Sequence, residues 1–143
     1  MAVVARYLLD TSVWARRRQP RVTERVVPLI GGGLVATCSV LDAEALYSTR
    51  RPTEYEQVRQ NRREAYEFLV SDQEVWDRAL DVQRSLAVRS MTRAVGIPDL
   101  IVAAVAEHHD VAVLHYDSDF DHIAAITGQS MHWVVPPGEA DGP

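Results

Sequence analysis

Short apolar runs and longer amphipathic stretches follow one another along the chain. Four apolar runs rich in β-branched residues have the length of strands: "VVARYLL" before Asp10, "LVATC" from Leu34, "VAVLH" from Val111 and "HWVV" from His132. Residues 54–70 and 72–91 carry apolar positions at helical spacing, which predicts a helical hairpin inserted between strands. This alternation predicts an α/β fold, a three-layer α/β/α sandwich around a mostly parallel central sheet.

Residues that favour helix ends support this division. Four segments fit the capping-box pattern at helix starts: "SVLD" from Ser39, "TEYE" from Thr53, "SDQE" from Ser71 and "SDFD" from Ser118. In this pattern Asp42 and Asp121 are capping partners, and Pro98 suits a first helical turn. The run Gly31 to Gly33 predicts a helix end and a turn, because a strand and not a helix follows it.

Composition limits the classes of function. The 143 residues correspond to one domain, predicted over 1–136, with a disordered tail over 137–143. All fifteen basic residues are arginines, which excludes a Walker A loop, a Schiff-base enzyme and a serine-lysine catalyst. The net charge of −5 disfavours nucleic-acid binding by the whole surface but allows a local basic strip. The single cysteine, Cys38, excludes a disulfide framework and a cysteine-rich metal cluster.

The apolar runs also bear on location. The N-terminal run contains Arg6 and ends at Asp10, so it lacks the features of a signal peptide. The longest apolar run, "LIVAAVA" from Leu100, is too short to cross a bilayer. We therefore expect a cytoplasmic protein with no membrane association.

Four acidic residues from separate segments are expected at one edge of the sheet. Asp10 directly follows the first strand, and in α/β sheets ligands bind beyond the carboxyl ends of the strands. A helix opened by Asp99 would carry the chain about 16 Å away, and the strand from Val111 would bring Asp117 back by a similar distance. Glu44 follows the second strand, in the second turn of a helix. Clustered carboxylates repel one another, and a hard divalent cation such as Mg²⁺ or Mn²⁺ would reconcile them.

Each acid also has a structural interpretation. Asp10 suits an N-cap, and Asp99 suits the positive end of a helix dipole. Asp119 fits either a dipole-complementing charge or an auxiliary metal ligand. Glu44 is the hardest to explain structurally, because it lies between two alanines on an apolar stretch. The five histidines show no spacing typical of a metal site.

Four motifs in order resemble one known family. The segments "LLDTSVW", "SVLDAEAL", "IPDLIVAA" and "YDSDFDHIA" are similar to those of PIN domains, and in particular of the VapC toxins of bacterial toxin–antitoxin pairs. This resemblance covers nearly the whole chain. It implies a PIN-like α/β/α sandwich, Mg²⁺- or Mn²⁺-dependent ribonuclease activity, a homodimer and a VapB-type antitoxin whose peptide enters the active-site groove.

The resemblance also implies roles for individual residues. Asp10, Glu44, Asp99 and Asp117 would form the acidic quartet, with Asp119 as an extra acid near the metal. Thr11 or Ser12 would orient the first carboxylate or its bound water. The expected reaction is attack of a metal-bound water on the scissile phosphorus, leaving a 5′-phosphate and a 3′-hydroxyl.

RNA contacts would have to come from arginine, whose planar fork suits phosphate. The richest strip is 50–63, with a second at 16–18; the alternative for both is an ordinary solvated helix face. The arginines of the first strip are Arg50, Arg51, Arg59, Arg62 and Arg63.

Two other functions compete with the nuclease. An aspartyl-phosphate phosphatase or receiver also begins with a strand ending in aspartate, but it needs an essential lysine, and the chain has none. A binding module whose acidic groove pairs with an arginine-bearing partner needs neither metal nor catalysis. The RNA target, whether transfer, ribosomal or messenger, is left open by these patterns.

Overall fold

The computed structural model describes residues 3–142 and contains a single sheet of five strands. Twelve elements follow one another along the chain: β1 (Tyr7–Leu9), α1 (Thr11–Trp14), α2 (Pro20–Gly31), β2 (Val35–Thr37), α3 (Ser39–Tyr47), α4 (Pro52–Ala65), β3 (Glu67–Phe68), α5 (Gln73–Val88), α6 (Ile97–His108), β4 (Ala112–His115), α7 (Asp119–Thr127) and β5 (Met131–Trp133). Among these residues, no helix is both long and apolar enough to cross a membrane.

All neighbouring strands run parallel, in the order β3-β2-β1-β4-β5. In the central pair, Leu8 lies opposite Val113 and Leu9 opposite Leu114. The carboxyl ends of β1 and β4 are therefore adjacent, about 4.8 Å apart at the usual strand spacing. The loops that follow these two strands begin with Asp10 and Tyr116.

Successive strand residues enter two different apolar cores. Leu8 and Val113 belong to a larger core shared with α5, α6 and α7, whereas Leu9 and Leu114 belong to a second core shared with α1 and α2. Side chains alternate between the two faces of a strand, so these two cores lie on opposite faces of the sheet. The predicted α/β/α sandwich is confirmed. Its central strands β1, β2 and β4 are mostly apolar because both faces of the sheet are covered.

The prediction of a helical hairpin over residues 54–91 is wrong at its centre. The helix α4 ends at Ala65, and Glu67–Phe68 forms the edge strand β3, paired with β2. The Glu67 carboxylate also accepts hydrogen bonds from the backbone N–H groups of Val4 and Ala5. A two-residue strand is too short to produce an alternating pattern. Its residues were assigned to the helix because they continue the apolar spacing of α4.

The predicted helix starts are close, but the capping chemistry differs. Cys38 and Arg51 occupy the N-cap positions of α3 and α4 without side-chain hydrogen bonds, and Ser118 caps α7 in the same way. At α5 the cap is Asp72, whose carboxylate accepts from the N–H of Val75. The predicted helix end at Gly31 to Gly33 and the place of Pro98 in the first turn of α6 are confirmed.

Residues 138–142 of the predicted tail make contacts with the domain. Ala140 is buried, and the Tyr116 hydroxyl accepts hydrogen bonds from the N–H groups of Gly138 and Ala140. The segment is rich in glycine and proline, a composition that predicts disorder. Its hydrogen-bond partners lie more than 20 residues away along the chain, so no local pattern predicts these contacts. Pro143 lies outside the described residues.

Candidate active site

Asp10 begins the site at the end of β1, and it is held by the residue two positions later. Its carboxylate accepts hydrogen bonds from the backbone N–H of Ser12 at 2.9 Å and from the Ser12 hydroxyl at 2.6 Å. The structural interpretation is therefore also correct, because Asp10 is the N-cap of the short helix α1. Only 3% of the Asp10 surface is exposed, and this burial raises the pKa of its carboxyl, with Glu44 and Asp117 adding to the effect.

Three further carboxylates meet beside Asp10. Asp99 lies in the first turn of α6, Asp117 follows β4, and Asp119 begins α7. One oxygen from each of these three side chains lies within 4.8 Å of the others. Asp117 is held in place because its Oδ1 accepts the backbone N–H of Asp119 at 2.9 Å. The sequence offered two interpretations of Asp119, and its proximity to Asp99 and Asp117 favours that of an additional ligand.

The electrostatics of this group show that its charges are not balanced. Burial raises the pKa of Asp99 to about 8, and the neighbouring charges of Asp10, Asp117 and Asp119 and a hydrogen bond with Asp119 contribute in the same direction. Within residues 3–142, no arginine or histidine forms an ion pair with any of these acids. The group therefore carries a proton at neutral pH, which a cation would displace.

Glu44 approaches the same place from α3. Its Oε1 accepts a hydrogen bond of 2.9 Å from the hydroxyl of Thr11, the residue after Asp10. The charge of Glu44 acts on Asp10 strongly enough to contribute to its raised pKa. The structure thus brings together all five predicted acids, and Thr11 and Ser12 each hold a different carboxylate.

The donor set fits a hard divalent cation. Asp99, Asp117 and Asp119 offer carboxylate oxygens, with Asp10 and Glu44 beside them, and no cysteine or histidine side chain belongs to this group. Ligands of this kind suit Mg²⁺ or Mn²⁺ and not zinc. A second group, Asp72, Glu74 and His108, is exposed, and there His108 lies within salt-bridge distance of both acids. That second group is consequently a surface charge cluster.

Arg62, one of the five arginines predicted to contact RNA, is buried and makes its polar contacts within the protein. Only 5% of its surface is exposed, its Nε donates to the Asp42 carboxylate at 2.8 Å, and its Nη2 donates to the Thr37 hydroxyl at 3.0 Å. Its guanidinium also lies 5.0 Å from the centre of the Tyr66 ring. Asp42, predicted to be a capping partner, is instead the counter-ion of Arg62. Asp121 was likewise predicted to cap a helix, and it accepts the indole N–H of Trp133.

The other four arginines of the strip lie on the surface, in two places. Arg59 and Arg63 line a cavity of about 400 Å³ together with Tyr66 and Phe68, and Arg59 also pairs with Glu56. Phe68 ends the edge strand β3, so this cavity lies at the same carboxyl edge as Asp10, two strands away. Separately, two arginines border a shallow depression at the start of α4: Arg50 and Arg51.

Two residues beside the acids had no signal in the sequence. His115 is fully buried, and its Nδ1 accepts the backbone N–H of Asp117. Burial lowers the pKa of His115 to about 4, so its ring is neutral. The backbone N–H of Tyr116 donates to the Ser12 hydroxyl at 2.8 Å. The contact between Tyr116 and Ser12 depends on the position of β4 beside β1, which local spacing does not report.

Comparisons with known proteins agree with this architecture. The PIN domain family matches residues 7–126. Ribonuclease VapC21 of Mycobacterium tuberculosis is 45% identical over 138 residues, covering 96% of this chain and all of the relative. Ribonuclease VapC51 of the same species is 46% identical over 136 residues, covering 95% of this chain and 98% of the relative.

Solved structures share the fold at much lower identity. The DNA-bound VapBC of Salmonella typhimurium has a TM-score of 0.74 at 19% identity, covering 92% of this chain and 99% of that chain. FitAcB of Neisseria gonorrhoeae has a TM-score of 0.71 at 18% identity, with coverages of 90% and 97%. These two likenesses concern the fold alone. On the family match and the full-length relatives together, the chain belongs to the PIN domain family and, within it, to the VapC proteins.

Proposed function

We propose that this protein is a divalent-metal-dependent endoribonuclease and the toxin of a type II toxin–antitoxin pair. The observation that carries the proposal is the convergence of Asp99, Asp117 and Asp119 within 4.8 Å, with no ion pair from an arginine or histidine of residues 3–142. The names of the relatives, Ribonuclease VapC21 and Ribonuclease VapC51, support RNA as the substrate class.

In this proposal, Asp10, Asp99, Asp117 and Asp119 would hold Mg²⁺, or Mn²⁺ as a substitute, with Glu44 completing the acidic site. When bound, the cation supplies Lewis-acid activation of water and neutralises negative charge developing at the phosphate. The reaction is hydrolysis of a phosphodiester bond by water, leaving a 5′-phosphate and a 3′-hydroxyl. Attack by the RNA 2′-hydroxyl would instead leave a cyclic phosphate.

The protein's own groups keep the acids in place. Ser12 donates to Asp10 through both its N–H and its hydroxyl, and this fixes which oxygen of Asp10 is free to face the substrate. Thr11 does the same for Glu44 through one hydrogen bond. Preorganised ligands of this kind avoid the cost of reorganisation during the reaction.

Four surface arginines are the candidates for RNA contact. Arg59 and Arg63 flank Tyr66 and Phe68 in the cavity beside β3, where a base can stack on an aromatic ring while a guanidinium contacts phosphate. Phe68 is 53% exposed, as a stacking platform requires. At the start of α4, Arg50 and Arg51 would extend this contact along the strand of RNA.

The partner would be a VapB-type antitoxin, and the toxin would form a homodimer in the cytoplasm, where its RNA substrates are found. The support for an antitoxin is that structures with this fold include VapBC complexes, some of them bound to DNA. An acidic groove without its own counter-ion would also accept an arginine from such a partner.

The test is induced expression of the wild type beside Asp10→Asn and Asp99→Asn, with total RNA sequenced for new 5′-phosphate ends. We expect growth arrest and discrete new ends with the wild type, and neither with the two variants. A matched control is Glu74→Gln, which removes an acid from the exposed surface cluster and should behave as wild type.

A different pattern would overturn the proposal. If both aspartate variants arrest growth as strongly as the wild type and no new ends are formed, the acids are not catalytic. The protein would then act as a binding module whose acidic groove pairs with an arginine-bearing partner.

A further inference from the structure

The C-terminal segment 138–142 lies against Tyr116 and Arg16, two residues that contact Ser12. The Tyr116 hydroxyl accepts the N–H groups of Gly138 at 2.8 Å and Ala140 at 3.0 Å, and it donates to the Asp141 carboxylate at 2.7 Å. Tyr116 is itself buried, so the segment is tied to a side chain of the domain interior and not only to its surface.

Arg16 forms a second connection to the same segment. Its Nε donates to the carbonyl of Ala140 at 2.9 Å, and its Nη1 donates to the carbonyl of Ser12 at 2.8 Å. Its guanidinium lies 4.5 Å from the centre of the Tyr116 ring. A planar guanidinium can make these three contacts at once, which a lysine ammonium could not.

Both connections converge on Ser12. Tyr116 reaches it through its backbone N–H, which donates to the Ser12 hydroxyl, and Arg16 reaches its carbonyl. The Ser12 hydroxyl has one proton, which it donates to Asp10 at 2.6 Å. The hydroxyl accepts one hydrogen bond from Tyr116 and donates one to Asp10, and these two hydrogen bonds fix its orientation.

We propose that Tyr116 and Arg16 are positioning residues through which the C-terminal segment 138–142 orients Ser12 and, through it, the Asp10 carboxylate. The segment is thus part of the active site's supporting structure. For its effect on metal and RNA the inference rests on the proposed function, but the contact network itself is independent of that function. Groups that orient a metal ligand typically change metal affinity by about 10- to 100-fold when they are removed.

The first experiment needs no metal and no RNA. Amide hydrogen exchange at Ser12 is measured by NMR in the metal-free full chain and in Tyr116→Phe, which keeps the ring but loses the hydroxyl. The Ser12 N–H donates to Asp10, so loosening this contact should speed its exchange about tenfold or more. Unchanged exchange at Ser12 would overturn the proposal.

The second experiment measures Mn²⁺ affinity by electron paramagnetic resonance in the wild type, Tyr116→Phe, Arg16→Gln and a chain ending at Pro137. We expect each variant to bind Mn²⁺ about 10-fold more weakly than the wild type. The control is Arg21→Gln, which removes the exposed ion pair of this segment with Glu139 and has no path to Ser12.

A loss of stability alone must be distinguished from a loss of positioning. Val75→Ala lies on α5 in the larger core, to which neither Tyr116 nor Ala140 belongs, and is expected to lower the melting temperature without changing Mn²⁺ affinity. Variants that bind Mn²⁺ as tightly as the wild type would overturn the role in metal binding. Failure of the wild type to bind Mn²⁺ would overturn the proposed function, while the exchange at Ser12 would still decide the contact network.

Discussion

Two groups of buried charges lie near the carboxyl edge of the sheet, and only one of them is neutralised. Asp42 faces Arg62, which also donates to Thr37, so the charges balance within the protein. Asp99 and its acidic neighbours face one another, and the pKa of Asp99 is raised to about 8 by burial and by their charges. Within residues 3–142, an arginine pairs with Asp42 and none pairs with the acids around Asp99, and an unbalanced acidic group of this kind is typical of a functional site.

The largest effect is expected from breaking the neutralised pair. Asp42→Ala leaves the Arg62 charge buried without its counter-ion, and we expect the free energy of unfolding to fall by about 3 kcal/mol. Urea unfolding measures this change. The control is the double variant Asp42→Ala with Arg62→Met, which removes both charges and should recover most of the loss. Equal destabilisation of the single and double variants would contradict a charge-based explanation.

In the acidic group, by contrast, removing a charge is expected to stabilise the protein. The folded pKa of Asp99, about 8, lies above the ordinary 3.8, so in metal-free protein Asp99 contributes stability that is fully present below pH 3.8. This contribution is lost as the pH rises towards about 8, because the unfolded chain releases the proton first.

Asp99→Asn should remove that pH dependence. Melting temperatures in EDTA are compared across this pH window for the wild type and Asp99→Asn, with Glu74→Gln as the control. We expect the variant to be the more stable protein near pH 8 and the difference to shrink on acidification. If the melting temperatures of the wild type and Asp99→Asn change in parallel with pH, the neighbouring acids do not destabilise the ionised form of Asp99.

The smallest effect on stability is expected at Arg63, the exposed neighbour of the buried Arg62. Arg63 is exposed, so Arg63→Gln should change the free energy of unfolding by less than about 0.5 kcal/mol. Its loss should weaken single-stranded RNA binding and reduce the slope of log affinity against log salt by about 0.7. Binding is measured in the Asp99→Asn background to prevent cleavage, with Arg84→Gln on the exposed face of α5 as the control. An unchanged salt slope would remove Arg63 from the RNA contact.

The adjacent positions Arg62 and Arg63 show why the sequence could not distinguish the buried arginine of the basic strip from the exposed ones. Both lie in the same run of arginines, and both were predicted to contact RNA. A helix turns by about 100° per residue, so neighbours face different surroundings. Arg62, and not Arg63, pairs with Asp42 because of the way α4 packs against α3. The sequence of the strip does not predict that packing.

The acidic site shows the opposite case, because much of it was predictable. Asp10 and Asp117 follow strands by one or two residues, and Asp99 lies in the first turn of α6. Parallel topology brings such positions to one edge. Glu44 was predicted from its apolar surroundings on α3. Their approach to one another is seen in the structure, whereas their catalytic roles stay a prediction.

The sequence by itself determined the alternation of strands and helices, the three-layer fold and the edge at which the acids gather, since these follow from periodicity and chain order. The tertiary structure alone decided that Arg62 is buried against Asp42, that β3 extends the sheet, and that the tail packs on Tyr116 and Arg16. These contacts join residues 20 to 124 positions apart or rest on a two-residue strand. Their energies come from burial and charge pairing in three dimensions, which no local pattern encodes.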